Sequence, residues 1–218
     1  MYNSKIIGLG HYVPENIVTN DDLSKIMDTT DEWIQERTGI KERRWAKPGD
    51  GQSTFTMGLE AAKKAISNAG IEKEEIDLIV FATLSPDYYF PGPGVQIQEA
   101  LEIDTVAALD IRAQCSGFVY SISVADQFIK TGMYKNILVI GSELQSHGID
   151  KSTRGRSISV IFGDGAGAAI LTREEDLTKG ILSTHIHSEG KHALELATEA
   201  PGMGTRWVSD IIKDNDPK

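Results

Sequence analysis

Short, continuous apolar runs that alternate with helical patterns most constrain how this sequence can fold. Residues 77–83 (DLIVFAT) and 136–141 (NILVIG) are such runs, and residues 5–9 and 106–111 are further strand candidates. Runs of this kind are typical of strands that are buried on both faces of a parallel sheet. Apolar residues recur every three or four positions over residues 54–69 and 117–131, which predicts two amphipathic helices that end before Gly70 and Gly132. The recurring order of strand, helix and strand predicts an α/β fold with a mixed, mostly parallel five-stranded sheet and helices on both faces.

The last third of the sequence has a different pattern. Residues 157–162 and 166–171 flank a turn with two glycines, and residues 181–187 follow after a charged loop. We expect these three runs to be consecutive antiparallel strands that complete the sheet. The pattern decays from Lys191 onward. We therefore expect residues 1–195 to form one domain and residues 196–218 to be an incomplete tail.

Composition excludes several classes of protein. The chain has 218 residues, of which 40% are hydrophobic and 25% charged, as in an ordinary globular protein. No apolar run approaches the roughly 18 residues of a membrane span, and the N-terminus has no signal-peptide core. The single cysteine excludes an intramolecular disulfide framework and a zinc site of clustered cysteines. These features lead us to expect a reduced, cytoplasmic protein.

The charge is acidic overall but unevenly distributed. The net charge of −10 disfavours nonspecific binding to nucleic acid or to anionic membranes. Residues 37–47 nevertheless hold five basic residues against one acidic residue, and residues 151–156 hold three basic residues and no acidic one. Two interpretations are open from charge alone: a site for a compact anion such as a phosphorylated ligand, or two solvated loops.

The single cysteine, Cys115, is the first candidate for chemistry. It lies in the sequence AQCSG (113–117), between a predicted strand and a predicted helix. The positive end of a helix dipole favours the thiolate form of a cysteine at that position. Turns from strand to helix also place side chains at the carboxyl edge of a sheet, where open α/β folds bind ligands. A lone cysteine, however, is usually a small buried core residue. Position alone leaves both readings open.

Two other patterns resemble ligand-binding motifs but are better interpreted as structural. The loop FGDGAGA (162–168) reads G-x-G-x-G and precedes a strand-like run, whereas dinucleotide loops read G-x-G-x-x-G and precede a helix. We therefore interpret it as a tight turn with close backbone packing. His185 and His187 are two residues apart on a presumed strand and share a face, but the sequence offers no third metal ligand. We expect no metal site.

Three ordered motifs resemble the 3-oxoacyl-[acyl-carrier-protein] synthase III family. They are TTDEWIQERTGIKER (29–43), QCSGF (114–118) and FGDGAGA (162–168), and the resemblance extends from residue 2 to about residue 195. The resemblance implies a thiolase-like fold, of which this chain holds the N-terminal half. It also implies transfer of an acyl group from acyl-coenzyme A to a cysteine, followed by condensation with malonyl-acyl-carrier protein at the start of fatty acid synthesis.

The resemblance assigns roles to six residues. Cys115 is expected to accept the acyl group, with its own backbone N–H in the oxyanion hole. Trp33 is expected to stack on the adenine of coenzyme A, with Arg156 on the other side and Thr29 and Arg37 nearby. Arg154, two residues before Arg156, is an alternative to it. Phe90 is expected to reach across a homodimer to the partner's acyl pocket. Coenzyme A is then a substrate, and no resident cofactor is expected.

The sequence also departs from the family. The catalytic His and Asn of the family belong to its second half, and no residue here matches either, His185, His187 and His192 included. Two further readings remain open beside the synthase. One is a related condensing enzyme, such as a 3-hydroxy-3-methylglutaryl-coenzyme A synthase or an acyltransferase of secondary metabolism. The other is a non-catalytic half subunit that binds acyl-coenzyme A or carrier protein. The acyl chain that is preferred does not follow from the sequence.

Overall fold

The computed structural model describes residues 2–197. The chain divides into two compact units, one that ends at Thr184 and one that begins at His185. The described part of the second unit contains a short 3₁₀ turn at Gly190–His192. The predicted domain boundary between residues 195 and 196 stays a prediction, and nearly all of the predicted tail lies outside the described residues.

The strands and α-helices of the described residues lie in the first unit. Its strands are β1 (Asn3–Tyr12), β2 (Ile17–Thr19), β3 (Glu42–Arg44), β4 (Leu78–Ala82), β5 (Ala107–Ile111), β6 (Ile137–Glu143) and β7 (Gly165–Glu174). Its helices are α1 (Asn20–Ser24), α2 (Asp31–Thr38), α3 (Thr54–Ala69), α4 (Pro93–Ala100), α5 (Gly117–Lys130) and α6 (Arg156–Ser159). None of the helices in the described part of the chain has both the length and the apolar character needed to span a membrane.

The main sheet has five strands in the order β1-β7-β6-β4-β5, and β2 and β3 form a separate antiparallel pair. Strand β4 is parallel to β5 and to β6. Strand β7 lies between β1 and β6 and is antiparallel to both. Four of the five strands therefore run in one direction. The expected mixed, mostly parallel five-stranded sheet is confirmed.

Helices cover both faces of this sheet, because side chains of the central strands alternate between the faces. Ile79 and Phe81 of β4 are fully buried in a cluster with apolar residues of α3 and α4. Leu78 and Val80, on the other face, are buried against residues of α5. Burial of each such side chain stabilises the fold by about 1.5–3 kcal/mol relative to its exposure. The expected helices on both faces are also confirmed.

Helix α3 packs directly on the backbone of β1, and two glycines of the strand allow it. A Cβ at Gly8 would lie 2.3 Å from Ala65 O, and a Cβ at Gly10 would lie 2.1 Å from Ala61 O. The helix begins at the Ser53 capping box and ends at Gly70, which has φ 66°. Its bounds and its glycine stop match the expectation from the sequence.

The predictions of strands at residues 157–162 and 181–187 are wrong. Residues 157–162 lie in α6 and in the loop that follows it, and residues 181–187 have no regular structure. In the first run only Val160 is buried in a core cluster, whereas Ile158 and Ile161 are 36% and 50% exposed. The run therefore has no face that a sheet could bury. Strand β7 was expected and is present, but its neighbours are β1 and β6.

Candidate active site

Cys115 lies in a strained turn between β5 and α5. Gln114 has φ 48°, a left-handed conformation that is uncommon outside glycine, and residues Gln114–Ser116 form a 3₁₀ turn. Such a conformation costs on the order of 1–3 kcal/mol and persists where the surrounding structure enforces it. Ser116 Oγ donates to Ala113 O at 2.9 Å and closes the turn. The result is an exposed, free Cys115 beside the N-terminus of α5.

A cavity of about 370 Å³ opens at Cys115. The ends of β4 and β6, the beginning of α5 and the loop before β7 contribute its walls. The cavity therefore lies at the carboxyl edge of the parallel strands, as expected for an open α/β sheet. Its lining residues are Ala82, Leu84, Gln114, Cys115, Gly117, Phe118, Gly141, Ser142, Glu143, Gln145, Phe162, Gly163 and Gly167.

Glu143 is the carboxylate in the wall of this cavity, and both of its oxygens are engaged. Oε1 accepts a hydrogen bond from Leu84 N at 2.7 Å, and Oε2 accepts one from Ser85 Oγ at 2.6 Å. Gln145 Nε2 also donates to Oε2, at 3.1 Å. These bonds tie the loop after β4 to the end of β6. We therefore assign Glu143 to the support of the cavity wall rather than to proton transfer at Cys115.

The glycine loop before β7 forms another wall. Asp164 is 5% exposed, and its Oδ1 accepts from Gln145 N and Ser146 N at 2.8 Å while Oδ2 accepts from Ala46 N at 2.7 Å. Gly163 and Gly167 line the cavity. The loop continues into a strand and not into a helix. Its contacts are those of a tight, closely packed turn, as the sequence indicated.

Trp33 stands on the first turn of α2 with two arginines against its ring. The Cζ atoms of Arg37 and Arg156 both lie 4.5 Å from the ring centroid. Thr30 caps the helix, because its side chain accepts from Trp33 N, and Gly39 ends the helix with φ 71°. Both ends of this eight-residue helix are thus fixed by their caps.

The structure separates the two candidate arginines of the loop that follows β6. Arg156 contacts Trp33, and its Nη1 donates to Asp28 O. Arg154 instead donates from Nε to Asp150 Oδ2 at 2.7 Å, and its side chain is 89% exposed. Hydrogen bonds from Ser152, together with this Arg154 contact, lower the pKa of Asp150 to about 2. The geometry therefore favours Arg156 as the partner of Trp33.

Thr29 contributes a buried hydroxyl to the same region. The residue is 8% exposed, and its Oγ1 has no hydrogen-bond partner among the described residues. It lies in the chain between Asp28, which accepts from Arg156, and the N-cap of α2. A buried polar atom without a partner costs about 1–3 kcal/mol. Because this oxygen is closed to solvent, a ligand that reaches Trp33 contacts it only if the surrounding chain moves.

Phe90 does not line the Cys115 cavity of its own chain. It lies in the loop between β4 and α4 and is 82% exposed, beside Tyr88 and Tyr89 at 61% and 60%. Three adjacent exposed aromatic side chains form an apolar patch. Its expected contact with a partner subunit stays a prediction.

The sequence predicted Cys115, Trp33 and the arginines as site residues. It did not predict two further residues that shape the site, Gln114 and Arg43. Gln114 supplies the strained turn, and no local sequence signal marks a left-handed glutamine. Arg43 lies inside the first basic island, where a count of charges does not distinguish it from its solvated neighbours. Its side chain is 6% exposed and donates to backbone and side-chain oxygens of other segments.

Comparison with known proteins agrees with this architecture. A family profile described as 3-oxoacyl-[acyl-carrier-protein (ACP)] synthase III matches residues 109–190. A relative from Aliivibrio fischeri named beta-ketoacyl-[acyl-carrier-protein] synthase III is 50% identical over 198 residues, which are 91% of this chain and 61% of the relative.

Solved structures of proteins with the same name are also similar. The one from Aquifex aeolicus VF5 is 51% identical with a TM-score of 0.75, over 79% of this chain and 55% of that one. The one from Pseudomonas aeruginosa PAO1 is 32% identical with a TM-score of 0.83, over 96% of this chain and 65% of that one. The chain thus spans only 61% of the length of the relative from Aliivibrio fischeri.

The sheet, the turn that holds Cys115 and these similarities define a thiolase-like α/β fold. Residues 109–190 thus match the profile of the 3-oxoacyl-[acyl-carrier-protein] synthase III family, and 91% of the chain is similar to a relative named beta-ketoacyl-[acyl-carrier-protein] synthase III.

Proposed function

We propose that this chain carries the acyl-accepting part of a 3-oxoacyl-[acyl-carrier-protein] synthase III. The observation that carries the proposal is the exposed Cys115 at a strained strand-to-helix turn, where it opens into the cavity of about 370 Å³. The Cys115 thiolate attacks the carbonyl carbon of an acyl-coenzyme A thioester. A new S–C bond forms on Cys115, the bond to the sulfur of coenzyme A breaks, and the proton lost by Cys115 completes the thiol of free coenzyme A.

In this proposal the N-terminus of α5 supplies electrostatic support for the attack. Negative charge develops on the thioester oxygen during the attack, and backbone N–H groups near a helix N-terminus stabilise such charge. In this proposal the N–H of Cys115 donates to that oxygen. The apolar side chains of Ala82, Leu84 and Phe118 in the wall suit the acyl chain.

The coenzyme A site in this proposal is the region around Trp33. Adenine stacks on the Trp33 ring, and Arg37 and Arg156 neutralise phosphate groups. Arg156 already occupies stacking distance from the ring, so it must move away before a purine can stack on the face that it covers. Thr29 is assigned to this site by its position between Asp28 and the N-cap of α2, since its hydroxyl is itself buried. Coenzyme A enters as a thioester substrate and not as a resident cofactor.

The second half of the reaction requires more than this chain. We propose that malonyl-acyl-carrier protein is the second substrate and that the catalytic His and Asn come from residues outside this sequence. We further propose a homodimer in which Phe90 of one subunit borders the acyl pocket of the other. The proposed location of the enzyme is the cytoplasm.

Labelling of Cys115 tests the proposed function. The 218-residue chain is incubated with radiolabelled acetyl- or hexanoyl-coenzyme A, quenched in acid and separated under denaturing conditions. We expect protein-bound label that hydroxylamine releases, as it does a thioester, and no such label in Cys115→Ser. Equal labelling of Cys115→Ser, or labelling of neither protein, contradicts the proposal.

A further inference from the structure

Arg43 on β3 buries its charge against neutral oxygens only. The side chain is 6% exposed, and its guanidinium donates to Val18 O at 3.2 Å, Asn20 Oδ1 at 2.8 Å and Val160 O at 3.0 Å. The Nε atom is also buried, and it has no hydrogen-bond partner among the described residues. Burial lowers the pKa of this arginine. A buried cation destabilises a fold unless its hydrogen bonds are well placed. The three acceptors of Arg43 therefore have to stay in position for the charge to be tolerated.

One of the three acceptors extends the contact to both ends of α2. Asn20 Nδ2 donates to Asp31 Oδ1 at 2.8 Å and to Ile40 O at 2.7 Å. Asp31 is the first residue of α2, and Ile40 follows Gly39, which caps its end. Arg43 and Asn20 therefore form a polar bridge from Val160 to α2.

The other end of this bridge holds α6. Val160 is the C-cap of α6, a helix of only four residues that begins with Arg156. Such a short helix has few hydrogen bonds of its own and depends on its surroundings for its position. The segment that precedes α6 makes a second contact with the segment that precedes α2, because Thr153 Oγ1 accepts a hydrogen bond from Asp28 N at 2.9 Å. The bridge thus connects the helix that carries Trp33 with the helix that carries Arg156.

We propose that Arg43 is a positioning residue that fixes α6 against α2 and so sets the contact between Arg156 and Trp33. A guanidinium is suited to this role because its planar fork reaches acceptors on three segments at once. A lysine ammonium carries the same charge but is a single point on a flexible stem. The inference rests on the proposed coenzyme A site for its functional meaning, although its geometric part can be tested without ligand.

Fluorine NMR of the ligand-free chain tests the geometric part. The chain is labelled with 5-fluorotryptophan, and Trp33→Phe assigns the Trp33 resonance among the three tryptophans of the sequence. We expect Arg43→Met to move this resonance to the position that Arg156→Ala gives. We also expect the double variant to coincide with Arg156→Ala alone, because both changes remove the same contact.

The matched control is Arg44→Met. Arg44 is the next residue of β3, but its Nη1 donates to Pro14 O and Glu15 O, outside the bridge. We expect the Trp33 resonance of this variant to stay at the wild-type position. A wild-type Trp33 resonance in folded Arg43→Met, or additive shifts in the double variant, overturns the proposal. If Arg43→Met does not fold, Arg43→Lys takes its place in the test. A Trp33 resonance between the wild-type position and the Arg156→Ala position supports the proposal, and a resonance at the wild-type position overturns it.

Titration with coenzyme A tests the functional part. We expect Arg43→Met and Arg156→Ala each to raise the dissociation constant by roughly three- to tenfold, because the Arg156 guanidinium is then lost or displaced from the position where it can neutralise a phosphate of coenzyme A. The rate of Cys115 alkylation by iodoacetamide should change less than twofold. A fall in alkylation as large as the loss of affinity indicates general damage to the fold and overturns a specific positioning role. Absence of coenzyme A binding by the wild-type chain contradicts the proposed function, while the NMR result still decides the role of Arg43.

Discussion

At the scale of single residues, the ring of Trp33 is the centre of the proposed coenzyme A site. Arg37 and Arg156 both lie 4.5 Å from it. Each contact is worth about 0.5–1 kcal/mol where the pair is exposed. Stacking of a base on an aromatic ring is worth about 1–3 kcal/mol, so a purine that replaces Arg156 on Trp33 gains more than the displaced contact loses. The released guanidinium is then available to a phosphate, so the net affinity comes from both events together.

Replacement of Trp33 by alanine should weaken coenzyme A binding by about five- to tenfold, because stacking on an aromatic ring is worth about 1 kcal/mol or more. Isothermal titration calorimetry of the 218-residue chain measures the dissociation constant. Trp33→Phe is the matched control, since it keeps a ring at the same position and should lose only a minor part of the affinity. An affinity of Trp33→Ala within twofold of wild type would exclude the stacking role.

The sequence predicted these residues only in part, for a physical reason. Charge counting marked two basic islands, but Arg43 and Arg44 of the first island donate to oxygens within the fold and are not free for a ligand. Arg154 and Arg156 are two residues apart, and local spacing does not show which of them turns towards α2. Both distinctions depend on contacts with residues that are distant in sequence.

At the scale of elements, the packing of α3 on β1 depends on close approach. Gly8 and Gly10 allow the helix backbone to lie against the strand, and side chains of the helix then bind the strand carbonyls. Lys64 Nζ donates to His11 O at 3.0 Å, and Asn68 Nδ2 donates to Leu9 O at 2.7 Å. The helix therefore covers one face of β1 and also bonds to its backbone.

Gly10→Ala should lower the free energy of unfolding by about 2–3 kcal/mol, because the added Cβ would overlap the backbone oxygen of Ala61 and the helix must shift. Urea unfolding monitored by circular dichroism measures the change. The matched control is Gly167→Ala, at the position of β7 paired with His11 beside Gly10, where a Cβ meets nothing within 4 Å. We expect that variant to stay within about 0.5 kcal/mol of wild type. Equal stabilities of the two variants would contradict the close-packing account.

Elements with a strong local pattern followed from the sequence, and those set by distant partners did not. Helices α3 and α5 and strands β4, β5 and β6 lie where periodicity and apolar runs placed them. The prediction of a strand at residues 157–162 is wrong, because both neighbours of β7 in the sheet are other strands: β6 on one side and β1, the first strand of the chain, on the other. Pairing between the beginning and the end of a unit leaves no mark in the local pattern.

At the scale of the whole molecule, the two edge strands of the sheet differ. The carbonyls of β1 at Leu9 and His11 are bound by side chains of α3. Strand β5, at the other edge, pairs only with β4 in the described part of the chain, and its Leu109 is 38% exposed. An unpaired edge strand is a site for pairing with another chain. Together with the exposed Phe90, this edge supports the proposed homodimer.

The 218 residues by themselves should not complete the proposed condensation. In the proposed reaction, negative charge develops on the malonyl thioester oxygen as carbon dioxide leaves, and preorganised donors must stabilise it. Loss of one such donor typically lowers the rate by about 10²–10³. No residue of this sequence matches the His and Asn that the family resemblance leads us to expect in that role. Condensation by the isolated chain should therefore stay near background even where Cys115 accepts an acyl group.

The measurement follows two products in one incubation. The chain receives radiolabelled acyl-coenzyme A and malonyl-acyl-carrier protein, and protein-bound label and 3-oxoacyl product are quantified separately. We expect label on Cys115 without product, and loss of the label in Cys115→Ser. Addition of a full-length relative as a positive control should give product under the same conditions. Robust product from the chain alone would contradict the division of labour proposed here. In that case histidines within the sequence, with His185 and His187 as the first candidates for substitution by alanine, would have to supply the donors.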